Sequence, residues 1–423
     1  MAKITNVWAR QILDSRSIPT VECMLQLDTG HIVTASAPSG ASTGTYEALE
    51  LRDNDPKVYH GKSVYKAVQS VNQIIGPALV QLQIDPSKQD VVDKKIIELD
   101  GTKNKTKLGA NSTLAVSVAT TKAGAIVNNM SLHRWVSALA KSRGIDAKPH
   151  IPTPMFNMIN GGLHGAGNLD FQEFFVIPAS SSQYSESLRA GVEIYQEIGK
   201  NLSRRGAIHS VGDEGGYAPN LFTNADALEI LVEAIRLSNY QVGRDVFLGL
   251  DVAATTFYKD GSYTIRDKSA PMNEELMIEY YKELNDNYHL ALLEDPLYED
   301  SWQGWTQMTS KLGGQLIVVG DDLLVTHPKR VEKAIAEKAC NALLAKPNQI
   351  GTVTETIDVI RMAVDAKWKV IVSHRSGETN DAFIADFAVG VGADLVKFGA
   401  PARGERVAKY NRLSAIELEL AQG

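Results

Sequence analysis

The chain has 423 residues, 44% of them hydrophobic and 22% charged, with no biased or repetitive tract, which leaves room for two domains or one elaborate barrel and excludes intrinsic disorder. Its formal net charge of -7, with acidic and basic residues interspersed, excludes a nucleic-acid or anionic-membrane surface as the main function. Cys23 and Cys340 lie far apart in no metal-ligand spacing, and no apolar run has the length of a signal or membrane segment, so a cytoplasmic protein is expected.

In chain order, residues 1 to about 60 alternate apolar and polar positions, "ITNVWARQIL" and then "TVECMLQLDTGHIVTASAP". This predicts a small antiparallel sheet with a hairpin turn at Thr29-Gly30. Just beyond, "APSGASTGTYEA" has the Gly and Ser content of a mobile lid, and equally of a plain surface turn. From Lys62 to about Leu139 the spacing becomes helical, and Asn111 is predicted to cap a helix of small residues, "STLAVSVATTKAGAIV". Residues 1–140 are therefore expected to form an α+β N-terminal domain. Glycine and prolines in "KSRGIDAKPHIPTP" break the periodicity and mark a boundary.

From residue 145 to 423 the texture repeats: a short apolar run ends in polar residues and a helical pattern follows. The runs "HSVGDEGG", "VFLGLDVAA", "LALLEDPL", "LIVVGDD", "NALLAKP", "KVIVSHRS" and "DLVKFG" end at Glu214, Asp251, Glu294, Asp321, Lys346, His374 and Lys397. Strands alternating with helices predict a parallel βα barrel, whose active site gathers at the C-terminal ends of its strands. The loop "NGGLHGAGNLDFQEF" lies outside this series and offers His164, Gln172 and Glu173; a lone histidine there serves structure as readily as chemistry.

Asp251, Glu294 and Asp321 bring three carboxylates to successive strand ends. Together without a counter-charge they would raise one another's pKa, and all-oxygen donors suit a hard cation such as Mg²⁺. Singly, each is as well explained by a helix N-terminus or a neighbouring Lys or Arg. Lys346 follows; a nearby divalent cation and Lys397 are expected to disfavour its ammonium form and bring it towards the pKa of a general base. Otherwise it snorkels into solvent. Glu214 on its glycine-bounded turn is a candidate general acid or an exposed acidic loop. His374, Arg375 and Ser376 are candidate phosphate donors or a solvated turn.

These residues, with "ARQILDSR", "PSGASTG", "FNMINGGLH", "VGDEGGYAPN", "LLEDPL", "GDDLLVTHPKR", "KPNQIGT", "SHRSGET" and "GAPARGERVAKYNRL", resemble the enolase family, the phosphopyruvate hydratases of glycolysis, essentially from end to end. The resemblance implies a small α+β N-terminal domain followed by a modified (βα)8 TIM-like barrel, and reversible dehydration of 2-phosphoglycerate to phosphoenolpyruvate. Lys346 would take the α-proton and Glu214 would protonate the departing hydroxyl. Asp251, Glu294 and Asp321 would hold one Mg²⁺, and Ser42 would bring a second with a closing lid. Arg375 and Ser376 would bind phosphate and Lys397 the carboxylate side, with His164, Gln172, Glu173 and His374 completing the pocket. A homodimer or octamer is implied as well. Another superfamily lyase, or a surface or scaffold role in addition to catalysis, is the alternative. Three stretches depart from the family pattern: Ser17-Ile18 replaces a usual Gly-Asn, "DVAATTF" carries Thr255-Thr256, and "HGAGN" stands where His-Ala-Asp-Asn is frequent.

Overall fold

The computed structural model describes residues 2–40, 45–165, 169–181 and 183–422. Strands β1 (Ile4–Leu13), β2 (Pro19–Leu27) and β3 (Ile32–Ser36) form an antiparallel sheet in sequence order. The alternation places Val21, Cys23, Leu25 and Leu27 on its buried face, while Gly30 takes the left-handed turn at φ +85 that a side chain would strain. Ser17 takes a left-handed backbone too, at φ 60. Asp14 makes the turn possible, because its Oδ1 accepts from the backbone N–H of both Arg16 and Ile18 at 2.8 Å. Against the sheet packs the helix Ala110–Val127, buried over most of its length because its side chains are small. Its N-cap is Gly109 rather than Asn111. Asn111 instead clamps backbone, its Oδ1 accepting from Leu51 N at 3.2 Å and its Nδ2 donating to Leu51 O at 3.1 Å.

The second half closes an eight-stranded barrel. Its first strands are β4 (Thr153–Asn160), β5 (Glu173–Pro178) and β6 (Val246–Asp251). Strands Leu290–Glu294, Ile317–Gly320, Ala342–Ala345, Lys369–Ser373 and Leu395–Lys397 follow, and the last pairs with β4. Met155, Phe175, Ile177, Leu292, Val319, Leu344 and Ile371 form a separate buried cluster inside this ring, each contributing roughly 1.5–3 kcal/mol by leaving water. Among the described residues no helix is long and apolar enough to cross a membrane.

Pairing is not parallel throughout. β5 runs antiparallel to both β4 and β6, because the described part of the β4–β5 connection holds only a three-residue turn, Gly162–His164, and no crossover helix. This reversal has a direct consequence for the site. It brings the start of β5 to the rim where the other strands end, with Glu173 in register with Asn160 and Asp251. A second correction concerns "HSVGDEGG", which is a loop between the helices Tyr184–Arg204 and Asn224–Leu237. The residue directly after it, Tyr217, bridges to Ile159 of β4 and ties the loop to the barrel.

Candidate active site

Asp251, Glu294 and Lys397 are the last residues of their strands, and Asp321, Lys346 and His374 directly follow theirs. Lys346 sits at φ −124 and ψ 107, the extended geometry that a following proline enforces, and Pro347 opens a short 3₁₀ turn. His164, Gln172, Glu173, Glu214, Asp251, Asp321, Lys346, His374, Arg375, Ser376 and Lys397 line one pocket at the barrel mouth. Each of the eleven is buried, except for Lys346, which keeps slight exposure. Glu294 lies beneath, reached through Lys397. Ser42 lies outside the described residues, as do most of the "HGAGN" positions. The stem before Ser42 is fixed: Ser39 and Gly377 exchange both backbone hydrogen bonds, at 2.7 and 2.9 Å. A Cβ on Gly377 would stand 2.3 Å from the Ser39 hydroxyl, so this approach requires glycine.

The three strand-end carboxylates do not stand alone, as their spacing suggested. Lys397 Nζ reaches Asp251 Oδ2 at 2.9 Å, Glu294 Oε1 at 2.8 Å and Glu173 Oε2 at 3.2 Å. Burial pulls the Lys397 ammonium down, but these carboxylates carry it well above the ordinary lysine range. Asp321 is paired with Lys346 and also accepts from Gln349 Nε2 at 3.0 Å. For Lys346, burial lowers the pKa and the Asp321 carboxylate more than restores it, so the amine lies above its ordinary value. The expected lowering is therefore absent from this arrangement of protein groups; Arg375 and Lys397 oppose Asp321 without prevailing.

A cation would nonetheless fit. Glu294 Oε2 is buried without a hydrogen-bond partner. Burial and then the charge of Asp251 push the Glu294 carboxyl well above its ordinary range, with Lys397 only partly offsetting them. Asp295, Asp321 and Asp322 present oxygens within 4.8 Å of one another. Asp251, Glu294 and Asp321 offer only oxygens, and the unsatisfied Glu294 Oε2 suits a Mg²⁺ ion; the Asp295–Asp321–Asp322 group is a different set that shares only Asp321 with them.

On the facing side lies a proton network. His164 Nδ1 stands 2.8 Å from Glu173 Oε1 and 3.5 Å from Glu214 Oε1. Burial lowers the His164 pKa, but Glu214 and Glu173 together raise it above the ordinary imidazole value. Burial and the charge of Glu214 push the Glu173 carboxyl up to about 7. For Glu214, burial acts upward and is outweighed by the His374 and His164 rings and by Arg406, leaving the carboxyl well below its usual range. His374 is itself held down to about 4 by burial, with Arg406 adding to the effect. It is therefore a neutral ring, 2.9 Å from Glu214.

Sequence reasoning passed over Glu47, whose carboxylate takes the Arg375 guanidinium, and Gln349, which bridges Glu47 and Asp321. Glu47 stands inside "APSGASTGTYEA", so an acidic residue just past a lid-like loop was the available signal. It also passed over Asp295, whose two oxygens accept from the backbone N–H of Asp321 and Asp322 at 3.0 and 2.7 Å and so hold the strand end that presents Asp321. Thr255, one of the departures, accepts from Glu299 N at 3.1 Å and leaves Asp251 in place.

A closed βα barrel with a buried and a slightly exposed lysine, converging carboxylates and a histidine-linked glutamate pair at its mouth defines an acid–base enzyme. The chain belongs to the enolase family: residues 4–136 match the family model described as "Enolase, N-terminal domain", and residues 148–423 match "Enolase, C-terminal TIM barrel domain". It is accordingly a lyase of the enolase superfamily, whose sites combine a Lys or His base with one or two Mg²⁺ ions.

Proposed function

We propose that the chain catalyses the reversible Mg²⁺-dependent dehydration of 2-phospho-D-glycerate to phosphoenolpyruvate. The observation that carries this reading is the placement of Lys346 and Glu214 on one pocket. Lys346 follows the strand Ala342–Ala345, which lies four places round the barrel from β5, and the Glu214 loop leans on β4 beside it. Lys346 removes the α-proton. Glu214, ionised at rest, takes a proton through His164 from Glu173, whose pKa is about 7, and passes it to the departing hydroxyl. Arg375 and Ser376 take the phosphate, Lys397 faces the substrate carboxylate, and Gln172 and His374 complete the walls. Asp251, Glu294 and Asp321, with Ser42, would hold Mg²⁺, which when bound stabilises the negative charge that develops as the α-proton leaves. A cytoplasmic homodimer or octamer goes with this reading, and sedimentation tests the assembly.

The test of function is ultraviolet absorption of the enol product. Absorbance should rise only with 2-phosphoglycerate and Mg²⁺ both present, and excess chelator should stop it. Turnover of a non-phosphorylated hydroxy acid, with none of 2-phosphoglycerate, would assign the chain to another reaction of the superfamily.

A further inference from the structure

Arg406 opens the last long helix, Gly404–Ala421, and its side chain is fully buried. A buried guanidinium ordinarily faces a carboxylate. Here the nearest acidic contact is Glu405 Oε1, 3.5 Å from Nε, and the two terminal nitrogens point elsewhere. Nη1 meets His374 Nδ1 at 2.8 Å and Arg375 O at 2.6 Å, and Nη2 donates to the carbonyls of Ser376 and Asp213. A guanidinium donates and never accepts, so Nδ1 of His374 must be the acceptor and bears no proton. The ring proton is then on Nε2, which stands 2.9 Å from Glu214 Oε2. Asn157 Nδ2 approaches the same oxygen at 3.4 Å. Glu214 Oε1, the oxygen 3.5 Å from His164, is left as the place for a proton. The stack has no slack: a Cβ on Gly399 would stand 2.9 Å from His374 Cε1 and 3.0 Å from Arg406 Cδ.

We propose that Arg406 is a positioning residue for the reaction, locking His374 in its Nε2–H tautomer and so confining the transferable proton of Glu214 to Oε1. Its role in the rate rests on the proposed dehydration; the tautomer does not. The charged groups acting on His374 are Glu214, Arg406 and, more weakly, Glu378, itself paired with Lys409 at 2.9 Å.

The test is nitrogen NMR of the full chain labelled at its histidines, without substrate, using His374→Gln to identify the signals. The expected spectrum shows Nδ1 bare and Nε2 protonated, unchanged between pH 8 and about 5. A ring protonated at Nδ1, or one that titrates near its ordinary value of about 6.5, overturns the proposal whatever the enzyme's activity. In turnover, Arg406→Gln should lower kcat on the order of 10²-fold with little change in KM and shift the acidic limb of the pH profile. Arg406→Lys, which keeps a cationic donor, should recover at least part of both. Full kcat and an unmoved pH profile in folded Arg406→Gln would overturn it. Should both variants fail to fold, the wild-type spectrum decides.

Discussion

Glu47 holds the Arg375 guanidinium from two sides, Oε2 accepting from Nη1 at 2.8 Å and Oε1 from Nη2 at 3.3 Å, with side chains only 7% and 4% exposed. A phosphate that binds Arg375 must therefore share or displace this carboxylate. Glu47→Gln leaves a buried cation short of its partner, which costs on the order of 3 kcal/mol. Inorganic phosphate should then raise the thermal midpoint of the variant more than that of the wild type, since it supplies the missing charge. Equal shifts in differential scanning calorimetry would separate Arg375 from anion binding.

Lys397 is the internal counter-charge of Glu173, Asp251 and Glu294. Lys397→Met removes it without opening a large gap and should destabilise the metal-free protein by about 3–5 kcal/mol. Mg²⁺ should recover much of that loss, because an ion that binds only the folded state adds stability as the logarithm of one plus its concentration over Kd. The readout is denaturant unfolding with chelator and with millimolar Mg²⁺. A Mg²⁺ effect no larger in the variant than in wild type would remove these carboxylates from the metal site.

The parts of the site that were legible in the chain are those where a strand declares itself locally. "VFLGLD", "LALLE" and "DLVK" are unbroken apolar runs ending in a charge, so Asp251, Glu294 and Lys397 could be placed at strand ends before their partners were known. β4 was hidden because Pro154 and Asn157 interrupt "TPMFNMIN", and β5 because it presents its first residue, Glu173, to the site where the other runs end in their polar residue. Glu214 was selected for its chemistry, yet it stands on a loop. The counter-charges were illegible for another reason: Lys397 lies 146 and 103 positions from Asp251 and Glu294, and only closure of the barrel brings them together. The raised pKa of Lys346 has the same origin, since the expected lowering assumed a cation and overlooked the adjacent Asp321.

Lys346→Ala should abolish exchange of the substrate α-proton with solvent, a loss on the order of 10²–10⁴-fold for a positioned base. Freed from Lys346, Asp321 keeps its hydrogen bond from Gln349, so the fold and its response to Mg²⁺ should survive. Deuterium incorporation followed by NMR is the measurement. Exchange at the wild-type rate would place the base elsewhere on the rim.

Asp93 links the two halves of the chain in a pH-dependent way. It is fully buried on the helix Gln89–Asp100. Its Oδ1 accepts from Gln89 Nε2 at 3.0 Å, and its Oδ2 from Thr354 N, also at 3.0 Å, in the first turn of the barrel helix Val353–Asp365. Burial pushes its carboxyl up to about 6, against the hydrogen bonds from Ser117, Thr354 and Gln89. An unfolded aspartate titrates near 3.9, so between roughly pH 4 and 6 the native state binds more protons than the unfolded state. The stabilising contribution of the protonated group is thus complete below about pH 4 and is lost as pH rises through 6, a change of about 3 kcal/mol. Asp93→Asn cannot titrate. It loses one acceptor towards Thr354 and should be less stable than wild type at pH 4, with the deficit shrinking by that amount towards pH 7. Urea unfolding of both proteins across this range gives the difference directly, and a deficit constant with pH would show that Asp93 has the same pKa folded and unfolded.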